Sequence, residues 1–188
     1  VNARAGTDGQ DGSGSGNETH VAVVGANRET SVLLEGGLLI NSSNPLVRDL
    51  AFWGASGAGT NFAAIELRGT KFEWYNLENF GDINPRGVVY EAMVSDITIR
   101  NYLHGIWMRN IAAKSRFSHI KIYNCTETCF YFDAATGVSV YQCDGYGSEG
   151  ASGFKIKGQS AEVRISQSRA QGCKIGLEIV AHEYEGVT

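Results

Sequence analysis

Proline is nearly missing from this chain: 2 of 188 residues, where ordinary usage would supply about nine. A Pro-rich linker is thereby excluded, and the 24 glycines must serve tight turns instead. Basic runs are also missing. With 16 Lys and Arg against 20 Asp and Glu the net charge is −4, so nucleic acid and anionic membrane are poor partners. No apolar run approaches the roughly 18 residues a membrane span needs, and no basic-then-apolar leader is visible. The four cysteines, Cys125, Cys129, Cys143 and Cys173, lack the C-x2-C spacing and the His partner of a metal site. No metal or cofactor is expected, and the cysteine count sets no redox compartment. Helical periodicity of ten residues or more is absent from the repetitive part of the chain, which excludes an αβ array. Asn-Gly or Asp-Gly turns do not separate the strands as an antiparallel meander requires.

What is present is a repeat. Asp96–Tyr102, His119–Cys125, Gly137–Cys143 and Glu162–Ser168 each alternate apolar and polar residues and then place an Asn or Gln. Alternation of period two marks strands, and recurrence marks a repeat architecture. Val47–Ala55 overlays Val94–Tyr102 with a shift of 47, which predicts a further unit between them at Lys71–Leu77. The second apolar positions are then Phe52, Trp74, Ile99, Ile122, Val140 and Ile165, spaced 22, 25, 23, 18 and 25. Second short strands are expected at Ile65–Leu67, Val88–Tyr90, Ile106–Met108, Phe130–Phe132, Phe154–Ile156 and Leu177–Ile179.

Two or three short strands per unit stack when the chain coils, at about 4.8 Å per level. The expected fold is all-β: a right-handed parallel β-helix of about six to seven rungs with a period of about 23 residues. Residues 1–19 are read as a flexible Gly/Ser-rich linker, 20–45 as opening strands, and 46–188 as the β-helix. The start at Val1 and the lack of a capping pattern read as part of a longer chain or fibre. An inward column Leu50, Phe72, Ile97, Ile120, Val138, Val163 is expected, with an amide column Gly54, Asn76, Asn101, Asn124, Gln142, Gln167. Cys125 and Cys143 are placed in one inward column, near enough for a disulfide but read as buried free thiols.

This pattern, with Val21–Gly25, Val32–Leu34 and Val47–Leu50 ahead of it, resembles the pectate-lyase-like superfamily of right-handed parallel β-helices, above all bacteriophage tailspikes and tail fibres. The resemblance implies a homotrimer on a virion tail, or otherwise extracellular, that contacts bacterial surface polysaccharide and other virion tail proteins. The alternative it implies is a polysaccharide-degrading enzyme, a hydrolase before a lyase because no outward Asp column is seen. A purely architectural segment is the third reading.

Function in such a coil falls on outward residues and loops. Long loops are expected at 54–63, 78–86 and 144–152, walling one edge. Glycoside hydrolysis needs two carboxylates about 5–9.5 Å apart, and Glu73, Glu78, Asp82 and Asp144 are the candidates at that edge. Glu73 could pair with Asp49 or Asp96. Arg109, Asp133 and Lys157 read as a cross-rung ion-pair row of little energetic value. Trp107 and Tyr131 are expected at one position of adjacent rungs, as are Tyr123 and Tyr141, with Trp53 further back. Exposed aromatics of this kind suit sugar stacking or burial between subunits. His104 and His119 read as surface histidines.

Overall fold

The computed structural model describes residues 22–40, 44–55, 63–69, 89–112, 114–158 and 160–180. These carry seventeen strands and no helix. In chain order they are β1 (Ala22–Val24), β2 (Val32–Leu34), β3 (Leu38–Ile40), β4 (Leu46–Trp53), β5 (Ala63–Arg68), β6 (Val89–Tyr90), β7 (Met93–Arg100), β8 (His104–Ala112) and β9 (Ser115–Ser118). There follow β10 (Lys121–Cys125), β11 (Thr128–Ala135), β12 (Val138–Tyr141), β13 (Asp144–Gly147), β14 (Ser152–Lys157), β15 (Arg164–Ser166), β16 (Arg169–Gln171) and β17 (Ile175–Val180). Every pairing between them is parallel, each strand joined to its counterpart one coil away. The chain is a parallel β-helix, as the repeat predicts.

One coil shows the plan. β9 forms a first face, His119 turns a corner, β10 forms a second face, and β11 forms the third before the chain enters the next coil at Gly137. Six strands stack on the third face, β3, β5, β8, β11, β14 and β17, which is five full turns. The corners explain the polar residues of the repeat. They lie in the left-handed region, where an L-residue sits at a penalty of about 1–2 kcal/mol and Asn or Asp is best tolerated. The corner between faces one and two holds Asp49, Asp96, His119, Gln142 and Gln167, with φ from 47 to 59°. The corner between faces two and three holds Asn101 and Asn124, and the corner leading into face one holds Asn44, Glu91, Lys114, Gly137 and Glu162. Side-chain ladders tie successive corners: Asn124 donates to Asn101 at 3.2 Å, Gln142 donates to Gln167 at 3.3 Å, and His119 Nε2 meets Gln142 at 2.8 Å.

Alternation buries one row per strand. Val47, Val94, Phe117 and Val140 line the first face, Phe52, Ile99 and Ile122 the second, Ile65, Ile106, Phe130 and Phe154 the third, all at most 4% exposed. Each such side chain contributes roughly 1.5–3 kcal/mol on leaving water. Phe130 and Phe154 stack at 4.9 Å between ring centres.

Three expectations are corrected. First, β4 pairs directly with β7, Leu50 facing Ile97 and Phe52 facing Ile99, and β5 pairs directly with β8. The shift of 47 therefore spans one coil and not two. Phe72, Trp74 and Asn76 lie outside the described residues. Second, the single amide column is two columns, because Gln142 stacks on His119 and not on Asn124. Val138 correspondingly faces Ser115, and Val140 faces Phe117. The apolar alternation vanishes from β13 and β16, where Gly145 and Ala170 take the inward positions, so the 18-residue step compared different faces. Third, Cys125 and Cys143 are not neighbours in one column. Cys125 lies opposite Gly147, and Asp144, next to Cys143, pairs with Lys121. All four cysteines are free thiols. The neighbouring Cys125 thiol, with burial, pushes the Cys129 thiol well up, and Cys173 acts in the opposite direction. Burial raises Cys143 to about 11.

Candidate functional site

Outward residues of the third face begin with Glu66, Trp107, Tyr131, Lys155 and Glu178, consecutive in register. Trp107 and Tyr131 are adjacent as expected and stack with planes 5° apart and centres 5.6 Å apart. Their faces are already occupied. The Arg109 guanidinium lies 4.5 Å over Trp107, and the Lys155 ammonium 5.8 Å over Tyr131. Carboxylates close both ends: Glu66 holds Arg68 at 2.6 and 2.8 Å and Arg109 at 3.7 Å, while Glu178 holds Lys155 at 3.0 Å. The Ser152 hydroxyl donates to Glu178 at 2.6 Å and, with Lys155, holds its carboxyl below the usual range. Arg109, Asp133 and Lys157 do share one row. His104 is not a surface residue: it is 5% exposed, packs 5.5 Å from both rings, and burial lowers its pKa.

The second face repeats this arrangement. Trp53, Arg100, Tyr123 and Tyr146 share a row. Tyr123 therefore stacks on Tyr146, at 4.9 Å and 5°, and not beside Tyr141 as expected, the two tyrosines lying on different faces. Arg100 lies 5.1 Å over Tyr123 and Arg169 5.5 Å over Tyr146. Trp53, at the far end of the row, is 42% exposed beside Leu34 at 68%. Asp144 faces Lys121 and Arg169 across the ladder. It accepts from Arg169 at 3.1 Å and from the Tyr146 hydroxyl at 3.5 Å. Its neighbours are cations and a phenol, which is an ion-pair setting and not a carboxylate dyad. Glu73, Glu78 and Asp82 lie outside the described residues.

The first face is different. Its outward surface is a grid whose successive levels read Asn44, Leu46, Arg48, Asp49, then Glu91, Met93, Ser95, Asp96, then Lys114, Arg116, Ser118, His119. The last two levels are Gly137, Ser139, Tyr141, Gln142 and Glu162, Arg164, Ser166, Gln167. Two features stand out. Tyr141 is 40% exposed, and its partners on either side are Ser118 and Ser166, too short to cover a phenol ring. The His119 ring meets it edge-on at 6.1 Å. Beside it, the small Gly137 and Ser139 leave a cleft of about 260 Å³ between Lys114 and Arg116 on one side and Glu162 and Arg164 on the other. Lys114 also reaches Glu91 at 3.3 Å across solvent. The corner nearest Tyr141 places Asp49, Asp96 and His119 on consecutive levels.

Of the aromatic candidates, Tyr141 alone combines an outward ring with short neighbours on both sides among the described residues. The cleft was missed by sequence reasoning. Its signal was Lys114-x-Arg116, Gly137-x-Ser139 and Glu162-x-Arg164 at spacings of 23 and 25, legible only once the corners are known to repeat. Among the described residues no cluster of His, Cys, Asp or Glu has the composition of a metal site.

A family model described as the right handed beta helix region matches residues 83–188, more than half of the chain. This chain belongs to the right-handed β-helix family. No curated protein and no solved structure matches it. The family match begins ahead of β7 and covers the last four levels of the grid, including Tyr141 and the whole cleft. In this right-handed β-helix cations lie over the stacked aromatics of faces two and three, and the Tyr141 ring of face one has only serines on either side.

Proposed function

We propose that this right-handed β-helix binds an extended polysaccharide along its first face, with Tyr141 as the stacking residue and the adjacent cleft holding a sugar ring. The observation that carries this is the accessible Tyr141 ring with a serine on either side, next to a cleft lined by Lys114, Arg116, Ser139, Glu162 and Arg164. A sugar presents an apolar ring face and a rim of hydroxyls. An exposed aromatic flanked by hydroxyl, amide and charged groups matches both, and a parallel sheet repeats that surface about every 4.8 Å. The resemblance to tailspikes and tail fibres supplies the setting we propose: a homotrimeric virion fibre component with bacterial surface polysaccharide as ligand. Affinity electrophoresis of the purified chain through gels containing dextran, alginate or hyaluronan tests the binding. Retardation that Tyr141→Ala abolishes is expected, and equal migration of both proteins in every gel contradicts it.

A second reading is hydrolysis at the same face. Asp49 and Asp96 stand opposite each other in adjacent coils, about 4.8 Å apart along the backbone, near the roughly 5–5.5 Å carboxyl separation of a retaining glycosidase. Arg48 lies 3.5 Å from Asp49. This reading expects release of reducing ends from a bound polysaccharide and its loss in Asp49→Asn and Asp96→Asn. Binding without release excludes it.

A further inference from the structure

We infer that His119 is the hydrogen-bonding neighbour of the ligand on Tyr141, and that its charge makes the first face bind more tightly at pH 5.5 than at pH 8. The inference rests on the glycan-binding reading and adds its regulation. Among the described residues His119 is the one whose ring meets Tyr141, edge-on at 6.1 Å. Its backbone N–H donates to the Tyr141 carbonyl at 3.2 Å, so one corner sets both rings. The side chain is exposed yet held in place. His119 Nε2 lies 2.8 Å from Gln142 Oε1, and the Gln142 amide nitrogen donates to Gln167 Oε1 at 3.3 Å. An amide that donates toward Gln167 turns its oxygen toward His119, and that oxygen only accepts. Nε2 of the neutral ring therefore carries the hydrogen, and Nδ1 carries the lone pair, an assignment made from the hydrogen-bond network.

This tautomer separates the charge change from the fold. Protonation adds a hydrogen at Nδ1 and leaves the Nε2 bond to Gln142 in place, so the corner ladder persists in both charge states. What changes is Nδ1, from an acceptor to a charged donor. A sugar stacked on the phenol carries its hydroxyl rim past the ring edge, where the imidazole stands. A hydroxyl donates to the neutral Nδ1 or accepts from the charged one, and the charge-assisted bond is the stronger of the two. The titratable and charged groups around His119 are Asp96 on the preceding level, at the end of β7, and Tyr141 on β12, with Lys121 on its own side of the corner opposite Asp144 of β13. Gln142 and Gln167 are uncharged. None of these is a second histidine, the side chain whose charge ordinarily changes between pH 5 and 8.

The test is affinity electrophoresis of the full chain at pH 5.5 and at pH 8, through gels containing dextran, alginate or hyaluronan. The wild type is expected to bind about threefold to tenfold more tightly at pH 5.5. His119→Asn keeps a residue tolerated at a left-handed corner and removes the imidazole, so its binding should be the same at both pH values. His104→Asn should keep the wild-type response, which separates His119 from the buried histidine of the third face. Gln142→Glu is the decisive variant. A carboxylate against Nε2 favours the imidazolium, so the tighter binding should persist to higher pH than in the wild type. Equal retention of the wild type at both pH values overturns the inference and leaves glycan binding intact. A pH response that survives His119→Asn also overturns it, as a general attraction of a polymer to a more positive protein would give. So does a Gln142→Glu response that stays where the wild type has it. No retention on any polymer at either pH overturns both readings. Melting temperatures above the assay temperature at both pH values show that each variant is folded.

Discussion

Asn124 shows how much rests on single corner residues. Its φ is 56°, and its amide donates to Asn101 one coil away. Asn124→Ala keeps the strained backbone and loses the hydrogen bond, so a loss of about 1–2 kcal/mol in urea denaturation is expected, with Asn124→Gly losing less. Gly105 is constrained by packing instead. A Cβ there would lie 2.6 Å from the Ile122 side chain and 2.7 Å from the Cys129 carbonyl. Gly105→Ala is expected to destabilise by about 1–3 kcal/mol. His104 contributes to the acid side of the stability profile. Burial lowers its folded pKa below the ordinary 6.5, so below pH 6.5 the unfolded chain binds the extra proton first. Stability is full above pH 6.5 and falls as pH drops through the folded value. Urea midpoints between pH 7.5 and 5.5 should show this slope, and His104→Asn should flatten it.

At the scale of elements, the two cation–aromatic stacks set Trp107 and Tyr131 apart from Tyr141, the aromatic of the proposed binding face. Trp107 lies between Tyr131 and Arg109, and its truncation strips packing from two levels of the third face. Trp107→Ala should lower stability by about 2–3 kcal/mol and leave polysaccharide binding unchanged. Tyr141→Ala should do the opposite, because Ser118 and Ser166 depend little on its ring. A thermal melt beside a binding assay for the two variants reads both outcomes. This distinction was only half legible in the sequence. Trp107 and Tyr131 were placed correctly, since β8 and β11 both alternate strongly. Tyr123 and Tyr141 were paired wrongly, since each precedes an amide and a cysteine. Which corner that amide occupies depends on its partner in the next coil. Inward glycine and alanine in β13 and β16 erased the alternation that would have marked the second face.

For the whole molecule, the architecture was legible because a coil repeats its corners and its apolar rows at each level. The coil count between Phe52 and Ile99 was not. One coil of 47 residues and two of about 23 look alike until strand pairing shows Phe52 against Ile99. The proposed binding face stayed hidden for a related reason: its residues come from five separate stretches, none of them a motif alone. Assembly is the further expectation at this scale. Light scattering on the purified chain should return a trimer if it works as a fibre component, and a monomer would remove that setting while leaving the glycan face in place.

The most direct test of the account is titration calorimetry of a polysaccharide that retards the protein in gels against the wild-type chain, Tyr141→Ala and Trp107→Ala. The account predicts saturable binding to the wild type, a loss of about tenfold or more with Tyr141→Ala, and unchanged affinity with Trp107→Ala at a temperature where that variant is folded. Loss with Trp107→Ala and none with Tyr141→Ala would place the ligand on the third face and contradict it.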